Sequence, residues 1–350
     1  MNQVRARGGM VLGALVSGAL LAGTLGEAPA ANASCFSAFG IGNGGGCTSN
    51  LTSVAIGIGN GATASALNGF FSSAIAFGND AIAITTLSAF SSAVALGDGA
   101  NASVLPGLMN FSWQLGRGSS AAIGGLNLAI GILSGGSGSQ RTSVAGVGSI
   151  ALQIGPGQMT NIGSLNLTLS TATGGDGTKS TSAGGFGNLA LNIGNAGTVL
   201  TEGFLSSTTN LLGNSYVVAR GILSAAGNVL GNGNTVSSQG GIFPNTTLSL
   251  AFNFFGDNNT VTAGVGPIAI AGAIGQNLRA ITRSLPGINI NGINAGGAAA
   301  VASSKRPAST SASRTSTAAA SSGGKTATAS KASGKKASST KRGTGASGRG

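Results

Sequence analysis

A phrase of aliphatic residue, small residue, aliphatic residue and glycine, followed by asparagine or aspartate, recurs along this chain. It occurs as VAIGIGNGATA (54–64), as IAFGNDAIA from Ile75 and as VALGDGANA from Val94. A loose period of about 19–20 residues, held over about 200 residues, is typical of a solenoid, in which each turn stacks on a similar neighbour. The glycines that mark this period are Gly57, Gly78, Gly97, Gly116, Gly155, Gly194, Gly213 and Gly231.

Each repeat predicts strands joined by turns. In VAIGI (54–58), large apolar residues alternate with alanine and glycine, and LNLTL (165–169) and LSLAFNF (248–254) alternate similarly. This period of two is typical of strands that bury one face, so we expect the aliphatic face to be buried between stacked repeats. Glycine, asparagine and aspartate tolerate left-handed turn conformations, and stacked asparagines can bond as a ladder. The predicted turn residues are Asn79, Asp80, Asp98, Asn195, Asn214, Asn232, Asp257, Asn258 and Asn259.

The sequence therefore predicts an all-β fold, a parallel β-solenoid with rungs of about 19–20 residues. A β-sandwich or barrel of short hairpins, and substantial disorder, are the alternatives.

Because open sheet edges invite polymerisation, we expect a cap at each end. A loop closed by cysteines is expected at one end. At the other, an amphipathic cap helix ended by Pro286 is predicted by the helical spacing of Ile268, Ala271, Ile274, Leu278, Ile281 and Leu285. A membrane-surface helix is the rival interpretation.

The first 33 residues have the layout of a secretory signal peptide. Arg5 and Arg7 precede an apolar run from Met10 to Leu25, and Ala31-Asn32-Ala33 (31–33) is an A-x-A cleavage site. We expect a secreted or cell-envelope-associated protein, cleaved after residue 33.

Export would place the chain's two cysteines in an oxidising compartment. Cys35 and Cys47 are therefore predicted to form a disulfide. A metal site built on them would need further cysteine or histidine ligands, which the sequence lacks.

The net charge of +12 is concentrated at one end of the chain. Residues 34–301 carry six basic and five acidic residues, whereas residues 302–350 carry ten basic residues and no acid. The basic tail (297–350) has too few bulky apolar residues to form a core, so we expect disorder there. A dispersed polycation binds polyanions by releasing their counterions; a merely solubilising tail is the other interpretation. The predicted polyanion-binding residues are Lys305, Arg306, Arg314, Lys325, Lys331, Lys335, Lys336, Lys341, Arg342 and Arg349.

These features divide the chain into five parts. They are a signal peptide (1–33), an N-terminal cap loop with a disulfide (34–50), a solenoid body (51–264), an amphipathic cap region (265–296) and the basic tail.

The composition argues against an enzyme. The chain has no histidine, so no Ser-His or Cys-His pair can form. A β-helix enzyme acting on carbohydrate could use Asp80 and Asp98, which lie one period apart, but solitary acids in turns are more typical of turn formation. Calcium repeats need aspartates at short regular intervals, which are absent here. We expect no cofactor, no metal and no small-molecule substrate.

Two resemblances bear on function. The units within 53–103 resemble the head repeats of trimeric autotransporter adhesins, which are parallel β-rolls on bacterial surfaces, although the period here is longer. The overall layout is similar to that of secreted Gly- and Asn-rich repeat proteins of mycobacteria and related actinobacteria.

The resemblances imply an exported, non-enzymatic, adhesin-like protein of the cell envelope or surface. Its expected partners are anionic polymers of the envelope or host surface, and extracellular nucleic acid without sequence specificity. A carbohydrate-active β-helix enzyme and an outer-membrane-associated pore protein are the alternatives.

Overall fold

The computed structural model describes residues 34–133, 138–171, 179–194, 197–239, 248–264, 267–296 and 302–304. Within these ranges the regular secondary structure consists of β-strands alone. In chain order they are β1 (Ser34–Ala38), β2 (Ile41–Gly42), β3 (Cys47–Ser49), β4 (Val54–Ile58), β5 (Thr63–Ala66), β6 (Ser73–Phe77), β7 (Ile82–Thr85), β8 (Ser88–Ala89), β9 (Ser92–Leu96), β10 (Ala100–Leu108), β11 (Phe111–Leu115), β12 (Gly118–Gly125), β13 (Leu128–Ile132), β14 (Gln140–Val147), β15 (Ile150–Ile154), β16 (Gly157–Ser164), β17 (Leu167–Thr171), β18 (Lys179–Phe186), β19 (Leu189–Ile193), β20 (Gly197–Phe204), β21 (Ser207–Leu211), β22 (Ser215–Ile222), β23 (Ala225–Val229), β24 (Thr235–Gln239), β25 (Leu250–Phe254), β26 (Thr260–Ala263), β27 (Ala269–Ile274), β28 (Arg279–Arg283), β29 (Gly287–Ile290), β30 (Ile293–Ala295) and β31 (Ala302–Ser304).

The strands form two sheets that the chain visits in alternation. The first sheet has 16 strands in the order β2-β1-β4-β6-β9-β11-β13-β15-β17-β19-β21-β23-β25-β27-β29-β30. The second has 15 strands, in the order β3-β5-β7-β10-β12-β14-β16-β18-β20-β22-β24-β26-β28-β31, with β8 paired to β10. From β4 to β29 the pairs are parallel, so the chain winds in one direction through about 12 turns. The predicted parallel β-solenoid is confirmed.

The strand pairing fixes the true period. Ile56 pairs with Ile75 and Ile75 with Val94, so these turns are 19 residues long. Gly59 contacts Gly78 across the corner, so Gly59, and not Gly57, is its equivalent. Longer turns leave the strand register intact, because the extra residues lie between strands.

The expected orientation of the strand faces is wrong. In β4, Ala55 is fully buried, whereas Ile58 is 44% exposed. The same holds along the first sheet, whose inward positions hold small or amide side chains while the large aliphatic residues point outward. The inward residues are Ala55, Gly57, Ala74, Ala76, Ala93, Ala95, Ser112, Gln114, Ala129, Gly131, Ala151, Gln153, Thr168, Ser170, Ala190, Asn192, Thr208, Asn210, Ala226, Asn228, Ala251, Asn253, Ala271, Ala273 and Asn289.

Close packing of the interior explains this inversion. A Cβ added at Gly131 would lie 2.2 Å from Oε1 of Gln114, and one added at Gly57 would lie 2.6 Å from Sγ of Cys35. Real Cβ atoms essentially never approach other atoms so closely. The second sheet contributes somewhat larger buried residues, among them Val144 and Met159. The interior therefore has room for alanine and asparagine from the first sheet, and the bulky residues of that sheet point outward.

Buried asparagines connect successive turns inside the solenoid. Nδ2 of Asn210 donates to Oδ1 of Asn192 at 2.9 Å, and Nδ2 of Asn228 donates to Oδ1 of Asn210 at 2.9 Å. Nδ2 of Asn253 continues the series to Oδ1 of Asn228 at 3.0 Å. Because a buried amide without partners is costly, this ladder holds equivalent turns in one register.

One corner, where the first sheet leads into the second, carries the predicted turn residues. The backbone N–H of Asn79 donates to Oδ1 of Asp98 at 2.7 Å, and that of Asn232 donates to Oδ1 of Asp257 at 2.7 Å. The expected ladder between stacked turns is confirmed here. Asn195 lies outside the described residues.

Both ends of the solenoid change from parallel to antiparallel pairing. At the N-terminal end, β1 pairs antiparallel with β2 and β4. At the C-terminal end, β29 pairs antiparallel with β30, and β28 with β31. The outermost strands are only two or three residues long. Short edge strands limit pairing with other chains.

The predicted C-terminal cap helix is wrong, because 268–285 forms β27 and β28. Its apolar residues do not share one face: Ile281 is 2% exposed, whereas Ile274 is 43% and Leu278 47% exposed. The stretch AIAGAI also alternates with a period of two, and β27 pairs with β25 and β29 on its two sides. Ladder hydrogen bonds from two neighbours outweigh helical spacing in a short segment.

Glycine at the other corner provides a test of the stacking. Gly124 has a φ of +108°, and a Cβ there would lie 2.0 Å from the carbonyl oxygen of Gly146 in the next turn. We expect Gly124→Ala to lower the free energy of unfolding by about 2 kcal/mol or more, from left-handed strain and overpacking. The adjacent Gly125→Ala is the control, since its Cβ would meet nothing nearer than 4.0 Å. Equal effects in chemical denaturation would contradict this account of the corner.

Candidate interaction surfaces

The outward side of the first sheet is a continuous apolar surface, which we call the apolar face. It comprises the outward side chains of the first-sheet strands from β4 to β29. No described residue among them is charged. Its few polar members carry hydroxyl groups, such as Ser73 and Ser92. Its large apolar members are Val54, Ile56, Ile58, Ile75, Phe77, Val94, Leu96, Phe111, Trp113, Leu115, Leu128, Ile130, Ile132, Ile150, Leu152, Ile154, Leu167, Leu169, Leu189, Leu191, Ile193, Leu211, Val229, Leu250, Phe252, Phe254, Ile270, Ile274, Ile288 and Ile290.

The area of the apolar face follows from strand geometry. Strands in a sheet lie about 4.8 Å apart and rise about 3.3 Å per residue. Thirteen strands of about five residues therefore cover about 60 Å by 17 Å, or about 1,000 Å². Ordinary monomers seldom expose apolar patches larger than a few hundred Å². The apolar face is larger than such patches and is therefore a candidate interaction surface.

Large apolar residues in left-handed conformation border this face. They lie at the corner where the chain passes from the second sheet to the first, and their φ angles are between 52° and 64°. Each costs about 1–2 kcal/mol relative to an ordinary conformation, and glycine would relieve that strain. These residues, between 41% and 58% exposed, are Phe71, Phe90, Met109, Leu126, Leu165, Leu205, Leu223, Leu248 and Ile268.

Sequence reasoning missed this corner row. The signal was present, since a large apolar residue followed by asparagine or serine precedes many first-sheet strands, as in Leu126-Asn127 and Leu165-Asn166. The following residue is the one that turns inward, and Asn127 and Asn166 are buried. Nδ2 of Asn127 donates to the carbonyl oxygen of Gly146 at 2.7 Å, which ties this corner to the next turn.

The outward side of the second sheet is more polar and carries an apolar groove. The rings of Phe186 and Phe204 stack with centroids 5.2 Å apart and planes 8° from parallel. They line an open groove of about 690 Å³, together with Ile162, Ile222 and the backbone of intervening glycines. Glu202, which also lines the groove, pairs with Arg220 at 3.2 Å. Both side chains are about half exposed, so this pair contributes little to stability.

The candidate catalytic acids lie in the turns between the sheets. Oδ1 of Asp98 accepts the backbone N–H of Asn79. Asp80 is one position further along its own turn and has a φ of 54°. The two acids therefore occupy non-equivalent positions, with Asp98 aligned to Asn79.

No metal-binding cluster is found within the described ranges, where no three histidine, cysteine, aspartate or glutamate residues come together.

The predicted disulfide between Cys35 and Cys47 is confirmed. It joins β1 of the first sheet to β3 of the second, and both residues are buried at 2% and 6% exposure. The disulfide therefore ties the two sheets together at the N-terminal end of the solenoid.

Among the residues that the structure describes, two cations are buried inside the solenoid, and sequence reasoning missed both. Arg283 is fully buried; its Nε donates to the carbonyl oxygen of Leu285 at 2.9 Å, and its other nitrogens reach the carbonyls of Pro286 and Gly296. It thus links the last turn to the C-terminal hairpin.

Lys179 is 2% exposed and donates from Nζ to the carbonyl oxygen of Thr171. Burial lowers the pKa of Lys179 from its usual 10.5 to about 8, because the charged form is desolvated.

The proposed signal peptide and all ten tail cations lie outside the described residues. The apolar face and the groove are therefore surfaces of the solenoid.

Lys179 gives a test by pH. Since its pKa is about 8 in the folded chain and near 10.5 when unfolded, the unfolded chain binds more protons between these values. The free energy of unfolding should therefore rise with pH across this window, by about 2–3 kcal/mol. Below pH 8 the contribution of Lys179 should stay constant, because the side chain is protonated in both states. Lys179→Met should lack this rise in urea unfolding measured from pH 7 to pH 10.5. Parallel pH profiles for the two proteins would contradict the buried position of Lys179.

No protein-family model matches the chain, and neither a curated protein nor a solved structure matches it. Among the described residues there is no helix of the length and hydropathy needed to cross a bilayer.

Proposed function

We propose that this chain is an exported, non-enzymatic protein of the cell envelope or surface. Its solenoid is the presented body, and its basic tail attaches it to anionic polymers. The observation that carries this proposal is the uneven distribution of charge along the chain. The near-neutral residues 34–301 include the whole ladder from β4 to β29, whereas ten basic residues lie beyond them without an acid.

The solenoid is suited to presentation because its stability is built from similar contacts repeated between neighbouring turns. Parallel ladders, buried asparagines and two antiparallel ends give an elongated body with few exposed strand edges. A disulfide at its N-terminal end supports maturation in an oxidising compartment.

The tail supplies affinity of a different kind. Cations that contact a polyanion displace its condensed counterions, so binding weakens steeply as salt rises. With ten cations and no acid in 302–350, this segment attracts anionic polymers largely without regard to their sequence. Envelope polymers and host glycosaminoglycans share this chemistry, and extracellular nucleic acid would also bind without specificity.

Salt-graded elution from cell envelopes tests the proposal. The chain from Ser34 onward should bind at low salt and elute at moderate salt. A variant with all ten tail cations replaced by glutamine should fail to bind, because counterion release is lost. A second variant that ends at Ser304 should behave likewise, and it keeps the β31 strand that pairs with β28.

Solenoid integrity in each variant is checked by its thermal unfolding, which should match that of the parent chain. Equal retention of all three proteins, or retention that does not change with salt, would contradict an electrostatic role for the tail.

A further inference from the structure

We propose that the apolar face is covered by a second copy of this chain, so that two first sheets stack face to face in a homodimer. This contact is proposed for the solenoid alone and needs no tail residue, so the inference goes beyond the proposed function and is tested separately from it.

The size of the face matches such an interface. A standard protein–protein contact buries about 800 Å² on each partner. The apolar face offers about 1,000 Å² on one side of one sheet, without a charged residue among its described members. Interfaces of permanent homodimers are correspondingly apolar. A face of this area is therefore sufficient for a stable dimer by itself.

The regularity of the face also favours an identical partner. Its side chains stand in rows along the solenoid, with Ile56, Ile75 and Val94 in one row and one strand spacing between neighbours. Two copies share this spacing of about 4.8 Å, so ridges of one sheet can fit between ridges of the other. A two-fold axis makes such a contact self-complementary and closes the assembly at two chains.

The surroundings of the face fit a protein partner better than a lipid surface. Proteins that lie on anionic membranes present basic residues around their apolar side. Here the corner where the first sheet leads into the second carries Asp98 and Asp257 together with Arg117, and Arg141 and Arg220 lie on the opposite sheet.

Aromatic residues at membrane surfaces also favour the boundary between lipid and water. Trp113 instead occupies the middle of its strand, in the central row of the apolar face.

The chain contains its own reporter of this contact. Trp113 is its single tryptophan, and it is 42% exposed on the apolar face of one copy. The single tyrosine, Tyr216, is 46% exposed on the opposite sheet. Stacking of two apolar faces would shield Trp113 from a soluble quencher and leave Tyr216 accessible.

The experiment is sedimentation equilibrium of the chain from Ser34 onward, with acrylamide quenching of Trp113 over the same concentrations. We expect a dimer, and quenching that weakens as dimer forms. Ile150→Lys places a charge on the apolar face of each copy and should weaken dimerisation on the order of 100-fold or more. Thr160→Lys is the matched control, because Thr160 is exposed on the outward side of the second sheet and should leave the dimer intact.

Three outcomes would overturn the proposal. The first is a monomer at all concentrations with Trp113 freely quenched. The second is a dimer that Thr160→Lys disrupts as strongly as Ile150→Lys, which would place the interface elsewhere. The third is a monomer whose Trp113 becomes shielded by vesicles of phosphatidylcholine and phosphatidylglycerol, which would assign the apolar face to lipid. Folding of both variants is checked by far-UV circular dichroism.

Discussion

The close approach of two sheets across a small-residue interior is the constraint on which the rest of the structure depends. Alanine, glycine and short polar residues occupy the inward positions of the first sheet, and several glycines have no space for a Cβ. Contacts between neighbouring turns then carry the stability, through parallel backbone ladders and buried amides such as Asn228. Apolar burial by large side chains contributes less than in an ordinary domain, because the interior cannot hold them.

The same constraint moves hydrophobic residues to the surface. Once alanine fills the inward positions, the alternation of the strand leaves isoleucine, leucine and phenylalanine outside. In water such a surface costs free energy in proportion to its area, and the left-handed corner row with Leu126 and Leu165 adds strain. A chain that keeps both features over many turns is suited to association, which connects the fold to the dimer we propose. Attachment through the tail uses a separate region, so presentation and assembly need not compete.

Sequence reasoning predicted the period, the parallel stacking, the asparagine and aspartate turn residues and the disulfide, because each depends on local chemistry. The turn ladder of Asn79 and Asp98 follows from the preference of these residues for tight turns. Which face of each strand points into the solenoid could not be predicted from local chemistry in the same way. A period of two shows which residues share a face, and the usual rule that aliphatic residues are buried selected the wrong one. Long-range pairing also turned a helical pattern at 268–285 into strands, and the buried positions of Lys179 and Arg283 have no local signature.

The most direct test of the inverted interior compares two neighbouring substitutions in β19. Ala190 is fully buried and Leu189 is 40% exposed. At concentrations that keep the chain monomeric, we expect Ala190→Leu to lower the free energy of unfolding by about 3 kcal/mol or to prevent folding, because the interior is overpacked. Leu189→Ala should cost about 1 kcal/mol or less, since its side chain is already partly exposed to water and its removal leaves no closed cavity. The opposite order, with Leu189→Ala severe and Ala190→Leu tolerated, would show that the aliphatic residues form the core and would contradict the account.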